Sequence, residues 1–99
     1  NEYFKDNYSI TRILLPPTIR SILDSAFNSC KKLIEISIPP SVNEIGISAF
    51  TDCSLLTQIS IPSSVTEIRE SVFSGCSSLT QIVIPSTVTY IGDRAFLCC

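Results

Sequence analysis

Apolar residues recur along this chain at one fixed interval. Phenylalanine stands at Phe4, Phe27, Phe50, Phe73 and Phe96, and cysteine at Cys30, Cys53, Cys76 and Cys99, each column stepping by 23 residues. Aliphatic columns keep the same step: Ile10, Leu33, Leu56, Leu79; Ile13, Ile36, Ile59, Ile82; Leu15, Ile38, Ile61, Ile84; Ile19, Val42, Val65, Val88; and Ile22, Ile45, Ile68, Ile91. Proline follows at Pro16, Pro39, Pro62 and Pro85. Written from its proline, the unit is P-x-[ST]-[VI]-x-x-I-x-x-x-[AV]-F-x-x-C-x-x-L-x-x-I-x-I. Full repeats occupy 16–38, 39–61 and 62–84, with partial repeats at 1–15 and 85–99. The repeat therefore runs through the whole chain, and 1–99 is expected to be a single domain with no linker.

Each unit carries one clear strand signal. Leu79-Thr80-Gln81-Ile82-Val83-Ile84 alternates with period two and is rich in β-branched residues, so it predicts a short strand. The proline after it lacks an N–H and ends the ladder. Val88-Thr89-Tyr90-Ile91 predicts a second, shorter strand or an extended turn. Gly92-Asp93-Arg94-Ala95-Phe96 then turns, and Ala-Phe-x-x-Cys fits one helical or 3₁₀ turn. Strands repeated along identical paths must lie parallel, about 4.8 Å apart. The expected fold is mainly β: a right-handed repeat solenoid with one parallel concave sheet and short turns or 3₁₀ pieces on the convex side.

The strand half, L-x-x-I-x-I, is that of a leucine-rich repeat. The half that follows, I-P-x-[ST]-V-x-x-I-x-x-x-A-F-x-x-C, resembles the BspA-like, Treponema-type subclass over the whole chain. Departures are few: Val72 replaces the usual Ala, Leu23 and Arg69 stand where Gly46 and Gly92 fill the turn, and Asn7 replaces the first Cys. The resemblance implies a leucine-rich-repeat superhelix and protein binding, with adhesion to host or matrix proteins in surface members. It is also expanded in some parasitic protists.

Composition narrows the chemistry. Among 99 residues, 44% are hydrophobic and 16% charged, which argues against disorder. Seven Lys and Arg against nine Asp and Glu give a net charge of -2, unlike a nucleic-acid binder with its basic face. No His is present, so His-based acid–base catalysis, a Ser–His–Asp triad and His metal ligation are excluded. Three glycines provide no phosphate-binding loop. Glu67, Glu70 and Asp93 fall at variable positions and read as solvated surface rather than a catalytic carboxylate pair. Thiols spaced a full repeat apart form a line, not the tetrahedron of a metal site. Core packing as free thiols is the first reading, with a disulfide between neighbouring coils also within geometric reach. Only Cys99 of the Cys98-Cys99 pair falls on the column, which leaves Cys98 as the exposed thiol.

No cofactor and no enzyme activity are expected. No apolar run is long enough for a membrane span. The chain holds no Met, even at position 1, and begins and ends inside a repeat. It is expected to be a fragment of a longer protein, and end-to-end self-association of such an uncapped piece is expected. Compartment stays open: Asn7-Tyr8-Ser9 is a glycosylation sequon that favours the cell surface or secretion, whereas unpaired cysteines favour the cytoplasm.

Function is expected on the outward side chains of the strands. They form the columns Thr11-Ile34-Thr57-Thr80, Arg12-Glu35-Gln58-Gln81 and Leu14-Ser37-Ser60-Val83. Arg12, Ile34, Glu35, Ser37, Gln58, Ser60, Gln81 and Val83 are the candidate contacts for a protein or peptide ligand. The first reading is a non-catalytic protein-interaction module, with surface adhesion as the form suggested by the family. The alternative is an intracellular leucine-rich-repeat scaffold or regulatory subunit, for example of a phosphatase or GTPase.

Overall fold

The computed structural model describes residues 11–99. Phe4, Ile10 and the Asn7-Tyr8-Ser9 sequon lie outside the described residues. The strands are β1 (Arg12–Leu14), β2 (Ser21–Ile22), β3 (Glu35–Ser37), β4 (Glu44–Ile45), β5 (Gln58–Ile59), β6 (Glu67–Ile68) and β7 (Tyr90–Ile91). β1, β3 and β5 form one parallel sheet in which Ile13 aligns with Ile36 and Ile36 with Ile59. These partners are one repeat apart, so each coil stacks on the last without slippage, as the sequence period requires. The expected second strand is also present. β2 pairs with β4 and β6 with β7, again in parallel and in repeat register. Each proline ends the main strand and opens a turn: its carbonyl accepts the N–H three residues on, as from Val42 to Pro39 and Val65 to Pro62, both 3.1 Å.

The convex segment is neither helical nor 3₁₀ in any described repeat. It is a chain of tight turns, with N–H groups of Ala26, Asn28 and Cys30 donating three residues back, to Leu23, Ser25 and Phe27. Alternate N–H groups leave the turn and bond the next coil instead. Ser25, Phe27 and Ser29 donate to the carbonyls of Ile47, Ala49 and Thr51 at 2.8–2.9 Å, and the same set recurs one and two coils later. A helix would use those donors internally, so the inter-coil ladder wins over it. The path needs two left-handed residues per coil. Ser25, Ser48, Ser71 and Arg94 have φ of 59–60°, and Ser29, Asp52 and Cys98 have φ of 62–63°. Such conformations cost ~1–2 kcal/mol for residues other than glycine, a cost offset here by three inter-coil hydrogen bonds per turn.

The core lies between the sheet and these turns. Phe27, Phe50, Phe73 and Phe96 stack as a spine with centroids 5.3, 5.7 and 5.5 Å apart. The cysteine column lines it. Cys53 and Cys76 thiols donate to the carbonyls of Phe27 and Phe50, each at 3.2 Å, and Cys99 repeats the contact to Phe73 at 3.1 Å. None of the five cysteines is held in a disulfide, and Cys98 and the column residue Cys99 are both exposed. Burial, with the adjacent thiols, pushes Cys53 well above the usual thiol range, and burial beside Cys99 pushes Cys76 from 9.0 up to about 12. These are neutral packing groups with one hydrogen bond each.

Two places depart from the repeat. Residues 79–84, expected to form a fourth main strand, have no strand structure. The N–H of Ile34 bonds Thr11 and that of Thr57 bonds Ile34, but no bond runs from Thr80 to Thr57. The second ladder is also broken, between β4 and β6. Its cause is the column Leu23, Gly46, Arg69, Gly92. A Cβ on Gly46 would lie 2.5 Å from the backbone nitrogen of Asp24, and one on Gly92 would lie 2.7 Å from that of Glu70. Glycine thus lets its coil close on the one before, where the N–H groups of Gly46 and Gly92 bond Ile22 and Ile68 at 2.7 Å. Arg69 has a Cβ at the equivalent place, and its coil stands off from Gly46. Its guanidinium spans the opening to Glu44 at 2.9 Å and Glu67 at 3.4 Å.

Three outcomes follow from this packing. Ile59→Ala, at a buried site, should lower stability by ~2–4 kcal/mol, and the outward Gln58→Ala by less than ~0.5 kcal/mol. Equal losses in urea unfolding would put the strand register out by one residue. Gly46→Ala should cost ~1–3 kcal/mol by forcing backbone apart, whereas Arg69→Ala should cost less than ~1 kcal/mol, because it removes only partly exposed ion pairs. A larger loss at Arg69 would contradict the close-approach role of glycine. The thiols set a pH dependence. Cys76 is raised in the fold, so its contribution is complete below pH 9.0 and is lost as pH rises towards about 12. Stability should fall in that window by up to ~1.4 kcal/mol per pH unit for each such thiol. Urea titrations of Cys76→Ala should show a shallower fall than those of the parent chain, and parallel curves would refute the assignment.

Candidate functional site

The strands present the candidate residues by simple alternation. In β3 the buried Ile36 is flanked by exposed Glu35 and Ser37, and in β5 the buried Ile59 follows exposed Gln58. Arg12, Ile34, Ser60, Gln81 and Val83 are exposed as well. Parallel register then lines them up coil over coil, with Arg12 opposite Glu35 and Glu35 opposite Gln58. The Arg12 Nε lies 3.5 Å from Glu35 Oε1, with both side chains largely in water. That pair contributes at most ~1 kcal/mol.

This face is polar but almost neutral, and its apolar members are unusually bare. Val83 is 83% exposed and Ile34 40%. Leu14, which shares the outward column of Ser37, Ser60 and Val83, is also 83% exposed and belongs with the candidate set. These exposed aliphatic groups, one on each of three coils, are the reason to consider the face for contact.

Between the third and fourth coils the face opens into a groove of about 1070 Å³. Gln58, Ser60, Gln81 and Val83 line its rim, and Ile59, Ile61 and Ile82 its floor. Thr57 and Thr80 also line it, and the outward columns contain both. The groove itself was not legible in those columns, because it arises from backbone bonds that are not made between two nearly identical segments, Thr57-Gln58-Ile59-Ser60-Ile61 and Thr80-Gln81-Ile82-Val83-Ile84.

Among the described residues no cluster of His, Cys, Asp and Glu could hold a metal ion. Glu67 engages Arg69, and Glu70 and Asp93 are exposed on other parts of the coil. Among the described residues no helix is long and apolar enough to cross a membrane.

Comparison with known proteins agrees with this architecture. The family described as BspA type leucine rich repeat region (6 copies) matches residues 1–99. A leucine-rich repeat protein from Bacteroides ovatus is similar, with 40% identity and a TM-score of 0.87 over 90% of this chain and 26% of its own. A leucine rich cell surface protein from Faecalibacterium prausnitzii has 41% identity and a TM-score of 0.87, over 90% of this chain and 24% of its own. The leucine rich repeat protein of T. pallidum has 30% identity and a TM-score of 0.78, over 89% of this chain and 55% of its own. This chain thus spans about a quarter of the first two structures and about half of the third. Comparison with curated protein sequences gives no match. With its repeat, its parallel register and its full-length match, the chain belongs to the BspA-type leucine-rich repeat family.

Proposed function

We propose that this chain is a non-catalytic interaction module that binds a protein or peptide on the face formed by β1, β3, β5 and the segment 80–83. The observation that carries this reading is the alignment of exposed, nearly neutral side chains with bare aliphatic groups at Leu14, Ile34 and Val83. Leu14 lies in β1 and Ile34 directly precedes β3, so paired backbone holds both and limits the ordering entropy lost when a partner covers them. Apolar and long polar residues near the centre, Ile34, Glu35 and Gln58, then dominate the binding energy. With few charges on the face, binding depends weakly on salt.

Display at a cell surface is the setting supported by the F. prausnitzii relative, which is described as a cell surface protein. The three buried cysteines do not oppose it. Cys30, Cys53 and Cys76 are buried, so their survival as thiols requires no reducing compartment.

The double variant Ile34→Asp with Gln58→Arg places charges where water must leave. It should weaken partner binding by ~30-fold or more while circular dichroism stays unchanged. The matched control is Glu70→Lys with Asp93→Asn, two exposed positions away from this sheet. Arg69 is unsuitable as a control because it bridges Glu44 and Glu67. Titration or pull-down with the native partner decides: loss with the control pair and retention with the sheet pair would move the recognition surface to the convex side.

A further inference from the structure

The groove between the third and fourth coils has a feature that the rest of the sheet lacks. Its walls are backbone edges with their hydrogen bonds unmade. In the first coil the amide equivalent to Ile61, that of Leu15, donates to Ser37 of the next coil, and in the second coil Ile36, equivalent to Ile59, is paired in register with the next coil. Among the described residues, no hydrogen bond joins 57–61 to 80–84. On the convex side the same two coils stay bonded, with Ser71, Phe73 and Gly75 donating to Asp93, Ala95 and Leu97 at 2.8–3.0 Å. The coils are therefore closed at one side and open at the other, and the opening is a wedge.

We infer that this wedge takes an extended, uncharged peptide strand, which adds to the free edge of β5. The inference rests on the proposed binding role of this face and names its occupant. Three observations select it. Unmade donors and acceptors spaced along a strand edge are a template for pairing with another backbone. A wedge closed at its convex end has no room for a helix ~10 Å across. No charged side chain lines the groove, so a charge on the occupant would be desolvated without a partner. The floor of Ile59, Ile61 and Ile82 under a rim of Gln58, Ser60 and Gln81 asks for alternation, apolar residues facing in and small uncharged polar residues facing out.

The test uses the whole chain and one probe, the acetylated and amidated peptide Leu-Thr-Gln-Ile-Ser-Ile, which copies residues 56–61. In the free chain the Ile59 and Ile61 amides should exchange with solvent far faster than that of Ile36, which lies inside the ladder. The peptide should slow exchange at Ile59 and Ile61 by about tenfold or more, the effect of a few net hydrogen bonds. Two N-methylated forms of the peptide, blocked on alternate residues in the two phases, separate backbone pairing from side-chain contact. Loss of binding in one phase supports strand addition. Equal binding of both forms overturns it while leaving the side-chain reading of the face intact. Protected Ile59 and Ile61 amides in the free chain, meaning that the third and fourth coils already pair, also overturn it, as does failure of the parent peptide to bind at millimolar concentration. The Ile34→Asp and Gln58→Arg pair tests the wider reading separately, through the native partner.

Discussion

Everything in this molecule depends on backbone hydrogen bonds between coils, made on both sides of each coil. On the sheet side Ile34 and Thr57 donate to the preceding coil and Leu15 to the following one, and on the convex side Phe27, Phe50 and Phe73 donate to the following one. Each coil is thus held to its neighbour at the sheet and at the turns. That arrangement tolerates no change in path length, because an inserted residue would put every later donor opposite the wrong carbonyl. The unbroken step of 23 residues is the sequence expression of this constraint.

Side chains serve the same constraint. The phenylalanine spine keeps coil spacing near 5.5 Å, and the thiols of Cys53, Cys76 and Cys99 each use their single weak donor on a phenylalanine carbonyl of the coil before. Cysteine suits that position because it is small, apolar and still able to donate. Serine recurs at the left-handed positions Ser25, Ser48 and Ser71, where the turn demands a positive φ and a short side chain keeps its cost low. Where the constraint relaxes, the fold opens. Arg69 in a glycine column separates β4 from β6, and the unpaired segment 80–84 leaves the groove beside β5.

A repeat of this kind divides labour between two sets of residues. Inward columns hardly vary, because each must fit the same neighbour above and below. Outward columns are free to vary, and here they carry Arg12, Ile34, Glu35 and Gln58 in place of a uniform surface. The packing that fixes the first set also holds the second in register, as the proposed contact surface requires.

The sequence alone determined the period, the parallel register, the inward Ile36 and Ile59 with outward Glu35 and Gln58, and the placement of the cysteine column in the core. All of these follow from alternation and spacing, which are local and repeat without exception. The sequence did not determine the form of the convex side. Ala-Phe-x-x-Cys is compatible with a helical turn, and only the next coil, by accepting the N–H groups of Ser25, Phe27 and Ser29, decides for a string of turns. Nor did it distinguish Thr57–Ile61 from Thr80–Ile84, which differ only at Ser60 and Val83. The first segment pairs with β3 and the second stands away from β5, because pairing is a property of two chain segments and their distance, which no single segment encodes.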